Sequence, residues 1–182
     1  GVLMPRLFAI DPGAYKGKAT CGIAELDLRP LVFDAQPAGD LLRTWSIDGT
    51  DLAAVGRVVR EAQACGASIL IERQFPSTRT SSNPIDMEKV VEARVKFEVL
   101  AAITRVVCEL VYPATWQTIL SLVPLTPAVG KTSKKTGKLI RDTKKSAEVL
   151  AKMIYPGAVL GKHERDAALM GRWYAVRKGA KE

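Results

Sequence analysis

Two carboxylates end short apolar stretches of this chain: Asp11 follows Leu7-Phe8-Ala9-Ile10, and Glu72 follows Ser68-Ile69-Leu70-Ile71. Both stretches read as β-strands, and in an α/β sheet ligand sites lie beyond the carboxyl ends of the strands. If the two strands are neighbours, the carboxylates face each other across about 5 Å, the spacing of adjacent strands. Two acids that close repel unless something cationic sits between them. Hard oxygen ligands with room for water and phosphate oxygens suit Mg2+ or Mn2+. Later in the chain His163 and Asp166 are three residues apart in a helical pattern, so they share a face, and Ala167 and Ala168 let that turn approach a sheet closely. Asp11, Glu72, His163 and Asp166 thus form a candidate set of ligands for two metal ions about 3.5–4 Å apart, an arrangement that activates water and stabilises the leaving oxygen at a phosphodiester. Each residue also has a plainer reading. Asp11 before Pro12-Gly13 reads as a turn residue, Glu72 as half of an exposed ion pair with Arg73, and His163 as a surface residue of a first helical turn.

The elements that must carry these residues are legible in outline. Thr20 to Leu26 and Arg43 to Ile47 read as two more strands, so the first three strands can form an antiparallel meander. Thr50 or Asp51 caps a helix with Leu52, Val55, Val58, Val59 and Ala62 at helical spacing, and Gly66 ends it. The unbroken apolar run Ile69-Leu70-Ile71 is what a central parallel strand needs. Gln74 to Asn83, rich in Ser and Thr, predicts a loop; Asn83-Pro84 then starts a helix expected to reach about Cys108. Val91, Val95, Phe97, Val99, Leu100, Ala102, Ile103 and Val106 cover more than one stripe of that helix, so it needs cover on two sides, one of which a dimer interface would supply. Leu110-Val111-Tyr112 is a fifth strand closed by Pro113, and helices follow over Ala114 to Leu122, Lys145 to Ile154 and Lys162 to Arg177. Strands and helices in this order predict one mixed α/β domain over 1–182, without internal repeat.

Composition narrows the class of partner. The 182 residues include 27 Lys+Arg against 19 Asp+Glu, a net charge of +8, and 47% hydrophobic residues, a content that excludes a disordered or fibrous chain. No apolar run approaches the roughly 18 residues that span a bilayer, so no membrane partner is expected. Cys21, Cys65 and Cys108 lack C-x-x-C spacing and, with a single His, exclude a Cys/His zinc site; they read as buried reduced thiols of a cytoplasmic protein. Most of the net charge falls on Lys131, Lys134, Lys135, Lys138, Arg141, Lys144 and Lys145, opposed only by Asp142. A flexible Lys-rich loop at about 126–144 is expected, and a polyanion is its natural partner; a solvated loop without a ligand is the alternative. Gly130-Lys131-Thr132 ends like a phosphate-binding P-loop, but Leu125 stands where the first glycine is required, so no nucleotide cofactor is expected. No nucleophile-elbow sequence accompanies His163.

Ala9-Ile10-Asp11-Pro12-Gly13, Ile69-Leu70-Ile71-Glu72-Arg73-Gln74-Phe75, Glu92-Ala93-Arg94, Lys144-Lys145-Ser146 and His163-x-x-Asp166-Ala167, in this order, resemble RuvC-type Holliday junction resolvases of the RNase H-like superfamily. The resemblance runs from about Arg6 to Tyr174. It implies an α/β, RNase H-like fold: a five-stranded mixed sheet, three antiparallel strands then two parallel, flanked by helices. It also implies a homodimeric crossover junction endodeoxyribonuclease that binds four-way DNA and nicks two strands with two Mg2+ or Mn2+ ions. On this likeness Asp11, Glu72, His163 and Asp166 hold the metal, Phe75 is an aromatic wedge that helps open base pairs, and Lys144 and Lys145 lie near the scissile phosphate. Arg73, Arg79, Lys131, Lys134, Lys135 and Lys138 join them as candidate DNA contacts, and the helix from Pro84 is the dimer contact. The chain departs from the family in the long connection Asp27 to Leu42, in the lysine density of 131–141, and in Arg165, where a small residue is more usual. These departures suggest a divergent member, acting in the cytoplasm of a bacterium or a phage-infected host. They leave open action on other branched DNA, action on RNA, and DNA binding without catalysis.

Overall fold

In the computed structural model, which describes residues 5–28, 39–74 and 83–179, the first strand is longer than the sequence predicts. Strand β1 (Arg6–Tyr15) runs on through Asp11-Pro12-Gly13 and turns at Lys16-Gly17 into β2 (Lys18–Asp27). Pro12 is tolerated inside β1 because the parallel neighbour β4 (Ser68–Glu72) leaves it after the pair Ile10–Ile71, so from Asp11 onward β1 keeps β2 alone as ladder partner. Strand β3 (Asp40–Ile47) pairs antiparallel with β2, and β5 (Cys108–Val111) pairs parallel with β4, giving the order β3-β2-β1-β4-β5. Three antiparallel strands followed by two parallel ones is the arrangement that the sequence resemblance implies.

Local signals set most helix ends. Asp51 caps α1 (Leu52–Cys65) by accepting from the Ala53 and Ala54 amides, and Gly66 closes it in the left-handed region at φ 67°. Asn83 caps α2 (Pro84–Thr104), with Pro84 at its first position. This helix stops short of Cys108 because Arg105 takes a left-handed conformation, φ 58°, and its amide bonds the carbonyls of Ala101 and Ala102. The helix expected over Ala114 to Leu122 is instead α3 (Pro113–Trp116) followed by a 3-10 turn (Gln117–Leu122).

The Lys-rich segment is not the open loop expected at about 126–144. Strands β6 (Gly130–Thr132) and β7 (Leu139–Arg141) form an antiparallel hairpin. Its turn is closed by the Ser133 amide donating to Lys138 O and the Gly137 amide donating to Ser133 O, each at 2.9 Å, with Gly137 at φ 66°. Ser133 and Gly137 carry that turn chemistry, which the run of lysines hides. Helices α4 (Thr143–Ile154) and α5 (Lys162–Gly179) are the last elements among the described residues.

The sheet is covered on both faces, and strand alternation decides which residue meets which cover. Phe8, Ile10, Cys21, Ile23, Ile69 and Ile71 pack with Val55, Val59 and Phe97 of α1 and α2. Leu7, Ala9, Ala24, Leu26 and Leu70 pack with Leu120, Leu150 and Leu169 on the α4 and α5 side. Counting by two, Asp11 and Gly13 share the face of Leu7 and Ala9, Gly22 that of Ala24, and Glu72 that of Leu70. All four therefore lie on the α5 side. On α2 the buried stripe is Val90, Ala93, Phe97 and Ala101, while Val95, Val99 and Ile103 stay 43%, 50% and 72% exposed. The three cysteines are unpaired; Cys21 is buried as expected, but Cys65 and Cys108 are only half-buried. Among the described residues no helix is long and apolar enough to cross a membrane.

Candidate active site

Helix α5 reaches the carboxylates because two glycines give way to it. A Cβ on Gly22 would fall 2.1 Å from the His163 carbonyl carbon and 2.3 Å from the Glu164 amide nitrogen, and one on Gly13 would fall 2.1 Å from the His163 ring. Their hydrogen side chains let the first turn of α5 rest on the β1–β2 ribbon, with Ala167 and Ala168 fully buried behind it. His163 Nδ1 is thereby brought 2.7 Å from Asp11 Oδ2. Glu72, on the neighbouring strand, accepts from Trp116 Nε1 and, at 2.8 Å, from Gln74 Nε2. Asp166, one turn into α5, accepts from the Arg165 guanidinium at 2.8–2.9 Å. Glu72 is therefore no exposed ion-pair partner of Arg73: it is 5% exposed, and Asp11 4%.

The charges interact across this cluster. Burial first, and then the Asp11 carboxylate, push Glu72 from its ordinary 4.5 up to about 7. The Asp166 carboxyl is raised by the same two causes in the same order, against the opposing pull of Arg165. His163 is held protonated to higher pH, chiefly by its hydrogen bond to Asp11. Asp11 thus acts on both Glu72 and Asp166, with the His163 ring and the Arg165 guanidinium as the cationic partners of the cluster. Three carboxylates and an imidazole are also the donor chemistry of a hard divalent cation, so the residues fit such an ion. Among the described residues no three His, Cys, Asp or Glu side chains stand close enough together to enclose one; each carboxylate engages a protein donor.

The cluster opens on two clefts. One, of about 210 Å3, is lined by Trp116, Gln117, Lys144, Lys162, Arg165 and Asp166. The other, of about 350 Å3, lies against Gly13, Gln74, Asn83, Lys162 and His163. Of the candidate DNA contacts, Lys131 lies on β6, Lys134, Lys135 and Lys138 in the hairpin turn, and Lys144 and Lys145 in the first turn of α4, all exposed. Arg73 is half-buried with its guanidinium 5.8 Å from the Tyr112 ring centre. Phe75 and Arg79 lie outside the described residues. Sequence reasoning missed Trp116, Arg165 and Lys162 as parts of the site, and the two glycines as its clearance. Gly13, two residues past Asp11 and so on the same strand face, was an available signal; Gly22 stands opposite Asp11 in the β1–β2 ladder, which only the register discloses. Trp116 has no such signal, since its role depends on how α3 leaves β5.

No family model matches the chain, and no curated protein does. Among solved structures, that of Thermus thermophilus RuvC superposes with a TM-score of 0.65 at 15% identity, covering 97% of this chain and 96% of that one. RuvC of T. thermophilus in complex with Holliday junction substrate gives 0.64 at 14%, covering 95% and 94%. The yeast mitochondrial Holliday junction resolvase gives 0.52 at 12%, covering 98% of this chain and 81% of that one. The chain has the RuvC fold over nearly its whole length.

Proposed function

We propose that this protein is a divalent-metal-dependent endonuclease that cuts four-way DNA junctions by hydrolysis of two phosphodiester bonds. One observation carries the reading: strand alternation puts Asp11 and Glu72 on the sheet face to which α5 presents His163 and Asp166. Asp11, Glu72, Asp166 and His163 would hold two Mg2+ or Mn2+ ions, which supply an activated water and stabilise the leaving oxygen. The protein's own groups do the rest. Trp116 and Gln74 fix both oxygens of Glu72, and the His163 ring fixes Asp11. The hairpin lysines with Lys144 and Lys145 attract the phosphate backbone, and Lys144 and Lys162 line the cleft beside Asp166. The apolar face of α2 through Val95, Val99 and Ile103 receives a second copy of the chain, which would give one centre for each of two strands. A junction is favoured over plain duplex by the likeness to a fold whose solved relatives include junction resolvases.

The test is incubation with a synthetic four-way junction, a matched duplex and a structured RNA, each with Mg2+. Two symmetric nicks in the junction, absent with EDTA and with Asp11→Asn, are expected. An intact junction, preferential cutting of the RNA, or an active Asp11→Asn protein overturns the reading.

A further inference from the structure

Asp166 is paired with a permanent cation. Arg165, the preceding residue of α5, places Nε and Nη2 on a single oxygen of Asp166, Oδ1, at 2.9 and 2.8 Å. Its Nη1 reaches Glu148 Oε1 on α4 at 3.4 Å. The side chain is 8% exposed, burial that arginine rarely shows unless paired. A carboxylate turns easily about its last torsion, and two donors on one oxygen stop that rotation.

We propose that Arg165 is a positioning residue for a divalent ion at Asp166: it occupies Oδ1, leaves Oδ2 as the oxygen offered to the ion, and through Glu148 ties that choice to α4. This rests on the metal-nuclease reading above. The tether reaches further along α4. The helix carries Lys144 and Lys145 in its first turn, and its buried Ser146 accepts a hydrogen bond at 3.1 Å from Arg141 at the root of the hairpin. Phosphate held by the hairpin or by that first turn therefore bears on the same helix that steadies Arg165. Hydrogen-bond partners of metal-ligating carboxylates fix ligand geometry, and losing one typically costs about 10- to 100-fold in metal affinity. A guanidinium that merely competed with the ion for Asp166 would have the opposite sign: removing it would tighten metal binding.

The experiment is calorimetric titration of the full chain with Mn2+ in the absence of DNA, alongside the Tm of each variant. Arg165→Ala is expected to weaken Mn2+ binding by about 10- to 100-fold. Arg165→Lys, which keeps the charge but cannot place two donors on one oxygen, should fall between Arg165→Ala and the parent. Affinity for Mn2+ that is unchanged or tighter in Arg165→Ala overturns the proposal. If Arg165→Ala does not fold, Arg165→Lys decides, and parental affinity in that variant overturns it equally. A parent chain that binds Mn2+ yet leaves junctions intact sinks the nuclease reading and leaves the positioning role standing. A parent chain that binds no Mn2+ sinks both.

Discussion

Asp11 and Glu72, which are buried, and Asp166, which is half-buried, come from three different elements, whereas the hairpin lysines are near neighbours in sequence and exposed to solvent. The contrast separates two kinds of electrostatics. In the acidic centre each carboxylate has its own protein donor, and Asp11 bears on the protonation of both Glu72 and Asp166, so losing one member alters its neighbours. On the hairpin, solvent and salt screen each lysine from the next, so their contributions are modest and close to additive. One region is suited to chemistry and the other to holding a polyanion.

The largest expected effect lies in the acidic centre. Asp11→Asn or Asp166→Asn should lower junction cleavage by about 10²–10⁴-fold or more, the range for a group acting at the reacting atoms. Junction binding in a gel-shift assay should persist or tighten, since a negative charge near phosphate is removed. Loss of binding together with cleavage would make these acids structural and erase the contrast.

Next in size is the clearance beneath α5. Gly22→Ala drives a Cβ into the backbone of His163 and Glu164, which cannot swing aside, and should destabilise the fold by about 1–3 kcal/mol, read as a lower denaturation midpoint. Gly13→Ala meets the His163 ring, a side chain that can rotate away, so it should cost less stability while breaking the hydrogen bond to Asp11. Equal stability losses in the two variants would contradict this placement of the helix.

A smaller effect follows from protonation. Folded Glu72 holds its proton up to about pH 7, against an ordinary value of 4.5. Between those limits the native state binds more protons than the unfolded state, so stability without metal should fall as pH rises from about 4.5 through about 7. The raised carboxyl of Asp166 and the raised imidazole of His163 act in the same direction. Divalent ions should restore the loss most at the alkaline end. Trp116→Phe, which removes a donor to the charged form of Glu72, should shift the transition further upward. Metal-free stability that rises over this interval would contradict the burial of Glu72 and Asp166 beside Asp11.

The smallest effect on chemistry is expected from the hairpin. Changing Lys131, Lys134, Lys135 and Lys138 to Ala should weaken junction binding and flatten its dependence on salt by about 0.9 for each phosphate no longer neutralised. An unchanged slope would show that the hairpin does not touch DNA.

The two regions also differ in how far the sequence discloses them. Strand alternation and helical spacing follow directly from residue order, so the shared sheet face of Asp11 and Glu72 and the approach of His163 to Asp11 are legible, whereas the spacing of the four side chains is not. The caps at Asp51, Gly66 and Asn83 were legible for the same local reason. Interactions made only by the folded chain were not, among them Trp116 on Glu72 and the fit of α5 over Gly13 and Gly22. The Arg165 pair was within reach in sequence, yet its meaning depends on Glu148 arriving from α4. Charge dominates the composition of the hairpin and so predicts a loop, although two bonds around Ser133 and Gly137 set its shape.

The division of labour is tested most directly by single-turnover cleavage of a four-way junction at saturating protein, comparing the hairpin Lys→Ala variant with Asp11→Asn. The hairpin variant, once bound, is expected to cut at close to the parental rate, while fully bound Asp11→Asn is expected not to cut. A hairpin variant that stays inactive at saturation, or Asp11→Asn that cuts, would contradict that division.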